Sequence, residues 1–169
     1  MVGYNFTEFA KYNKQTNESM NNIIEKISEE EWDKEFNGFY KSIHELCSHI
    51  YISDYTWFNR FCESCEFTEL KNSLSDNNIL NYNWGKTMFV NINEYLQMRK
   101  ELDDIIIKFT DKLSETDLEK ILKLPINSEG TLGEFKIDLL VFHVFKHAIH
   151  TRGMISLYLE MLGIENSFC

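Results

Sequence analysis

Histidines form the most distinctive pattern in this sequence, because all five fall into two clusters. His44 and His49 form the first cluster, and His143, His147 and His150 form the second. On a helix, His143 and His147 point about 40° apart and reach one ion together, whereas His150 points about 60° the other way. Three neutral imidazoles leave a divalent metal an open position for water or substrate. The pattern predicts a metal site in which a histidine of the first cluster joins the second.

Each histidine also has a structural interpretation, in which its ring packs in the core or joins a polar network. Arg152 likewise has two interpretations: it holds an anionic substrate, or it pairs with Asp54 or a glutamate on another helix. Four aromatic residues near the clusters are interpreted as core, some of them walling a pocket: Trp57, Phe58, Phe142 and Phe145. The sequence assigns no catalytic residue.

Four long segments with helical spacing of apolar residues must position these side chains. They cover residues 6–27, 42–61, 90–113 and 131–162. Capping boxes at 42–45 and 131–134 begin the second and fourth, and Gly163 ends the fourth. The expected fold is therefore all-α, a single four-helix bundle over residues 1–169, with the histidine clusters facing each other on the second and fourth helices.

Helix-capping and helix-breaking residues predict where the connections between the four long helices lie. Ser28 and Ser114 predict short capped turns, the second running through Ile121 and stopped by Pro125. Asn-Gly at 37–38 breaks the connector before the second helix, and residues 127–130 predict a plain turn. The long connection 66–89 joins the second and third helices, and part of it is expected to cover a pocket.

Composition narrows the partners and the compartment. Lys and Arg number 17 against 27 Asp and Glu, a net charge of −10 that repels phosphate backbones, so no nucleic-acid partner is expected. The chain has no signal-peptide pattern and no apolar run of the roughly 18–20 residues that span a membrane, so a cytoplasmic protein without a membrane partner is expected. The four cysteines are expected to be free thiols, including Cys62 and Cys65 of a C-x-x-C motif.

Two motifs resemble the DinB/YfiT-like superfamily. The first is SIHELCSH at residues 42–49, with Asn13 and Asn17 before it and Asp54 after it. The second is HVFKHAIHTRG at residues 143–153, which is similar to the family's H-x-x-N-H-x-x-H-H-R-G-Q stretch. The resemblance spans nearly the whole chain. It implies an up-down-down-up four-helix bundle, often dimeric, with a divalent metal, commonly zinc or nickel, between the second and fourth helices.

Carried over onto this chain, the resemblance implies metal ligands at His49, His147 and position 151. Position 151 is a threonine, where the family usually has a histidine. A neutral hydroxyl is a poor ligand for zinc or nickel. The third ligand is therefore left open among His143, His150 and Thr151.

Two function hypotheses follow from the resemblance. The first is a metal-dependent thiol transferase or related hydrolase, in which the metal lowers the pKa of a low-molecular-weight thiol and supplies a nucleophile at neutral pH. The alternative is a non-catalytic bundle, a ligand-binding or dimeric stress-response protein with a degenerate metal site. A small-molecule ligand and a homodimer are compatible with both.

Overall fold

The computed structural model describes residues 5–74, 79, 87–125 and 130–168, and its framework is four long helices. They are α1 (Phe6–Ile24), α3 (Ile43–Ser64), α5 (Ile92–Lys112) and α7 (Ile137–Met161). Between them the described residues form the short helices α2 (Glu29–Asp33), α4 (Thr68–Ser73) and α6 (Glu115–Leu118). The predicted four-helix bundle is confirmed. No helix in this part of the chain has both the length and the apolar character needed to cross a membrane.

Serine caps begin three of these helices and a glycine follows the last one, at positions that the sequence predicted. Ser28 and Ser114 each begin a short helix with a reciprocal capping box, in which hydroxyl and acidic side chain satisfy each other's backbone N–H groups. The Ser42 hydroxyl accepts a hydrogen bond from the Glu45 N–H at 3.1 Å and begins α3. Gly163 follows α7 at a φ of +80°, the left-handed conformation that ends a helix at little cost for glycine.

The segment before α7 is a β-hairpin, so two predictions for it are wrong. β1 (Ile121–Pro125) pairs antiparallel with β2 (Leu132–Lys136). The expected capping box at 131–134 is part of this hairpin rather than the start of the fourth helix, which begins at Ile137. The turn after Ser114 is helical only to Leu118.

Cross-strand contacts give the physical reason for the hairpin. Leu122 lies opposite Phe135, and both are half-buried, while the flanking positions are exposed. Lys123 pairs with Glu134 across the strands at 3.0 Å. Such pairs stabilise a strand that a local capping signal alone would place in a helix. Residues 127–129 of the predicted turn lie outside the described residues.

Helix packing places α3 beside α7. The helix α1 packs against α5 and α7, and α3 packs against the same two helices, so α1 and α3 lie across a diagonal of the bundle. The α4 helix forms part of the 66–89 connection and packs on α3 and α5. Because α3 and α7 are neighbours, the two histidine-bearing segments face each other.

A buried ion network joins α3 to α5. Arg99 donates hydrogen bonds to Asp54 on α3 at 2.8 Å and to Asp103 at 2.6 Å. All three side chains are buried. Asp54 is therefore held in the core by a cation of α5, which fixes the separation of these helices.

Arg152 of α7 extends this network to α1. Its Nη1 atom donates to Oδ1 of Asn13 at 2.6 Å and of Asn17 at 2.9 Å, and Asn17 in turn donates to Asp103 at 2.9 Å. These contacts agree better with the helix-to-helix interpretation of Arg152 than with the anion-binding one. Its hydrogen-bond acceptors include the two asparagine amides of α1, and its charge also acts on the carboxylate of Asp54.

Candidate functional site

His49 of α3 and His147 of α7 meet where these two helices pack together. Their Nε2 atoms are 2.9 Å apart, and their ring centroids are 4.9 Å apart with 70° between the ring planes. Both rings are half-buried. Two imidazole nitrogens at this distance form one hydrogen bond, in which one Nε2 donates and the other accepts. The two ligand positions implied by the resemblance are therefore adjacent in space.

Both rings are neutral near pH 7. Burial lowers the pKa of His49 to about 4, and the neighbouring His147 and His150 add to the shift by charge repulsion. Burial also lowers the pKa of His147, and His143 and His150 act in the same direction. Neutral imidazole is the form that binds a metal ion, so protonation does not block this pair at neutral pH.

The Nδ1 atom of His147 is buried and has no hydrogen-bond partner within the described part of the chain. A proton on this atom would be a buried donor without an acceptor, at a cost of about 1–3 kcal/mol. The favoured tautomer therefore carries its proton on Nε2, from which His147 donates to Nε2 of His49.

A cavity of about 670 Å³ opens beside the histidine pair, a size typical of sites for small organic molecules. His49, His147 and His150 lie in its wall. The rest of the described lining is apolar or aromatic apart from Gly38 and the polar amide of Asn37, without Asp, Glu, Lys or Arg: Phe36, Asn37, Gly38, Phe39, Tyr40, Met154, Leu157, Tyr158 and Met161.

Aromatic contacts and hydrogen bonds fix the part of the cavity wall that the connector between α2 and α3 forms. Tyr40 packs on the ring of His49 with 4.5 Å between centroids, and Phe36 stacks on Tyr158 at 4.2 Å. The Tyr158 hydroxyl donates to the Tyr40 carbonyl at 2.6 Å, and the Phe36 N–H donates to the Lys41 carbonyl at 2.7 Å. The connector is therefore an ordered wall of the cavity.

Gly38 is the most crowded point of this wall, because a Cβ atom there would overlap the Tyr158 hydroxyl. Gly38→Ala is expected to displace the Tyr158 ring and lower the free energy of unfolding by about 1–3 kcal/mol. Urea unfolding measures this change. Gly153→Ala is the matched control, since nothing lies within 4 Å of a Cβ built there. An equal loss in both variants would contradict the steric argument.

The other two histidines of α7 differ in position. His150 is exposed and lies in the cavity wall. His143 is also exposed, but it is outside the described lining, with its ring centroid 6.4 Å from that of His147 and 6.1 Å from that of Trp57. Of these two candidate third ligands, His150 is the one that shares the cavity with the pair.

Thr151 is directed into its own helix. Its hydroxyl donates to the His147 carbonyl at 3.1 Å, and its side chain is fully buried. In residues 5–74, 79, 87–125 and 130–168, no group of three His, Cys, Asp or Glu side chains is arranged to hold a metal ion. The shortest contact between imidazole nitrogens at the cavity is that of His49 with His147.

His44 belongs to the core rather than to the site. Its Nδ1 atom lies 2.8 Å from Oδ1 of Asp33, and its ring stacks on Trp32 with 5.0 Å between centroids. His44 and His49 are five residues apart and so point about 140° from each other around α3. The structural interpretation thus applies to His44.

The C-x-x-C thiols and the nearby aromatic residues are also structural. Cys62 and Cys65 are free and buried, and burial raises their thiol pKa values to about 12 and about 11. Such thiols are poor nucleophiles at neutral pH. The four aromatic residues interpreted as core do pack in or against it: Trp57, Phe58, Phe142 and Phe145.

Sequence reasoning missed the aromatic wall of the cavity. Residues 36–41 were interpreted only as a connector, although Phe36, Phe39 and Tyr40 surround its Asn-Gly break. Three aromatic side chains in so short a connector were the available signal, because a plain surface turn seldom carries so much apolar area.

Comparisons with known proteins agree with this architecture. The curated protein DinB of Bacillus subtilis (strain 168) is 22% identical over 164 residues, which cover 93% of this chain and 86% of that protein. The crystal structure of YjoA, a DinB-like protein from Bacillus subtilis, superposes with a TM-score of 0.66 at 17% identity and covers 95% of this chain and 96% of that one.

A second solved structure shares the fold at lower identity. YfiT from Bacillus subtilis superposes with a TM-score of 0.65 at 12% identity, over 94% of this chain and 87% of its own. YfiT is described as a probable metal-dependent hydrolase with an unusual four-helix bundle topology. The model of the DinB family matches residues 1–169. The chain therefore belongs to the DinB family.

Proposed function

We propose that this chain is a metal-dependent enzyme that acts on a small molecule in the cavity, with His49 and His147 holding a divalent ion such as zinc or nickel. The observation that carries the proposal is the 2.9 Å separation of the two Nε2 atoms at the cavity wall. Nitrogen ligands lie about 2.0–2.1 Å from such an ion, so two of them are about 2.9 Å apart at an octahedral right angle and about 3.3 Å apart at the tetrahedral angle of zinc. The pair would therefore hold one ion after a movement of at most about 0.4 Å and after His147 moves its proton from Nε2 to Nδ1.

Two histidines fill only part of a coordination shell, so water or the substrate would supply the remaining ligands. A bound divalent ion would lower the pKa of a thiol or a water molecule beside it, which is the chemistry required by thiol transfer and by hydrolysis. YfiT, which shares this fold, is described as a probable metal-dependent hydrolase, and this supports the same class of reaction.

The chain's own side chains prepare the site for this chemistry. Tyr40 packs on His49 and restricts the rotation of that ring. The stacked rings of Phe36 and Tyr158 keep water from one side of the cavity. His150 lies in the wall beside the pair, where it meets a substrate or supplies a further nitrogen.

Metal content tests the proposal directly. After dialysis against zinc or nickel at neutral pH and removal of excess ion, the chain is expected to retain about one ion, measured by inductively coupled plasma mass spectrometry. His49→Ala and His147→Ala are each expected to lose it, because one imidazole alone binds weakly. His143→Ala is the matched control, since this exposed residue of the same helix lies outside the described cavity lining. Undiminished stoichiometry in His147→Ala would overturn the assignment.

A second function, a metal-free ligand-binding bundle, is favoured by one observation. A metal-binding histidine usually donates its other ring N–H to an acceptor. The buried Nδ1 of His147 has no such acceptor among the described residues. Absence of retained metal in the wild-type chain would support this second function.

A further inference from the structure

We infer that the cavity binds an uncharged, largely apolar molecule, which places an aromatic ring against its wall and one polar atom beside His150. This inference names the class of ligand for the proposed function. It rests on the proposed function only because both take the cavity as the binding site. It follows from the chemistry of the described lining and from the charge of the chain.

The first observation is the absence of fixed charge in the wall. None of the described lining residues is Asp, Glu, Lys or Arg. Without a bound metal ion, an ionised ligand group in this largely apolar cavity loses its hydration and gains no counter-charge from the described side chains, which is costly. The chain also carries a net charge of −10, which repels anions before they arrive.

The second observation is the aromatic character of the wall. The rings of Phe36 and Tyr158 stack, and Tyr40 covers His49, so flat π-surfaces border the space. A flat aromatic ligand packs on such surfaces in offset or edge-on geometry. The Tyr158 hydroxyl already donates to the Tyr40 carbonyl, so it does not need a ligand partner.

The third observation is the apolar rim. Phe39 is 90% exposed, and Leu157 and Met161 are more than half exposed, although all three line the cavity. A ligand that fills the cavity would cover part of this apolar area and gain about 25 cal/mol for each Å² removed from water. At the histidine side the exposed ring of His150 can hydrogen-bond to a polar atom of the ligand, because the Nε2 atoms of His49 and His147 bond to each other.

Two fluorescent probes of matched shape test the ligand class on the full chain. N-phenyl-1-naphthylamine is uncharged, and 8-anilinonaphthalene-1-sulfonate is the same ring system with one sulfonate. We expect saturable binding of the neutral probe, one per chain, at least about tenfold tighter than the sulfonate, because the unpaired anion loses its hydration. Both titrations are run on metal-free and on zinc-loaded protein, with zinc content measured in each sample.

A charge added to the rim provides the matched variants. Leu157→Arg places a cation at the cavity, and it is expected to shift the preference about tenfold toward the sulfonate. Leu139→Arg makes the same change on the same helix, at a residue equally exposed but outside the described lining. It is expected to leave the preference unchanged. Urea unfolding of each variant establishes that it is folded.

The outcomes separate this inference from the metal proposal. Neutral-probe preference in the metal-free protein supports the inference, whatever the zinc content of the loaded sample. Equal or tighter binding of the sulfonate by the metal-free wild-type chain, or no saturable binding of either probe, overturns it. A response of Leu139→Arg equal to that of Leu157→Arg also overturns it. So does a fall in probe stoichiometry at high protein concentration, which would show that a second copy covers the cavity.

Discussion

Replacing Arg99 with methionine is expected to lower the free energy of unfolding by about 3–5 kcal/mol. The guanidinium bonds to Asp54 at 2.8 Å and to Asp103 at 2.6 Å, and all three side chains are buried. Methionine keeps the length and apolar character of the side chain but leaves two carboxylates without their cation. Because an uncompensated buried charge is far more costly than a lost surface pair, the effect is large.

Urea unfolding followed by circular dichroism measures this loss. Lys100→Met is the matched control, because Lys100 is the next residue of the same helix and is exposed. Its change is expected to stay within about 0.5 kcal/mol, as for most surface substitutions. A loss at Arg99 no greater than that at Lys100 would show that the network does not hold the helices together.

Phe58→Ala is expected to produce the second large loss, about 3–5 kcal/mol of unfolding free energy. Phe58 is fully buried on α3. Its ring meets Phe109 of α5 edge-on at 5.2 Å and Phe145 of α7 at 6.4 Å between centroids. Removing it opens a cavity between three helices and deletes both aromatic contacts.

The same urea measurement applies to this variant, and the chain offers a matched control. Phe39→Ala removes an identical side chain that is 90% exposed at the cavity rim. It is expected to change stability by no more than about 0.5 kcal/mol. If Phe58→Ala cost as little as Phe39→Ala, the aromatic cluster would not be part of the cooperative core.

Features that depend on short stretches of chain were predictable from the sequence. The capping boxes at Ser28 and Ser114, the Ser42 half of the box at 42–45 and the stop at Gly163 form as expected, while the Glu45 carboxylate accepts from the Lys41 N–H instead. Each of these features depends on residues within about one helical turn. The predicted long helices follow from apolar spacing for the same reason.

The family motifs also identified the pair that meets at the cavity. His49 and His147 were implied as ligands by resemblance, and the packing of α3 against α7 brings their Nε2 atoms to 2.9 Å. The departure at Thr151 was visible in the sequence as well. The consequence of this departure could be seen only in the structure, where the Thr151 hydroxyl donates to the His147 carbonyl.

Tertiary contacts decided what the sequence could not. The capping pattern at 131–134 gave way to a strand, because pairing with β1 and the half-burial of Phe135 outweigh a local helix start. Arg152 donates to asparagines of α1, a helix that is distant from it in the sequence. The cavity likewise joins the connector 36–40 to α7. The sequence by itself determined the helices, because caps and apolar spacing act locally, and the family resemblance pointed to His49 and His147. The contact between these two histidines, the hairpin, the ion partners and the cavity wall depend on residues far apart in the chain, which only packing brings together.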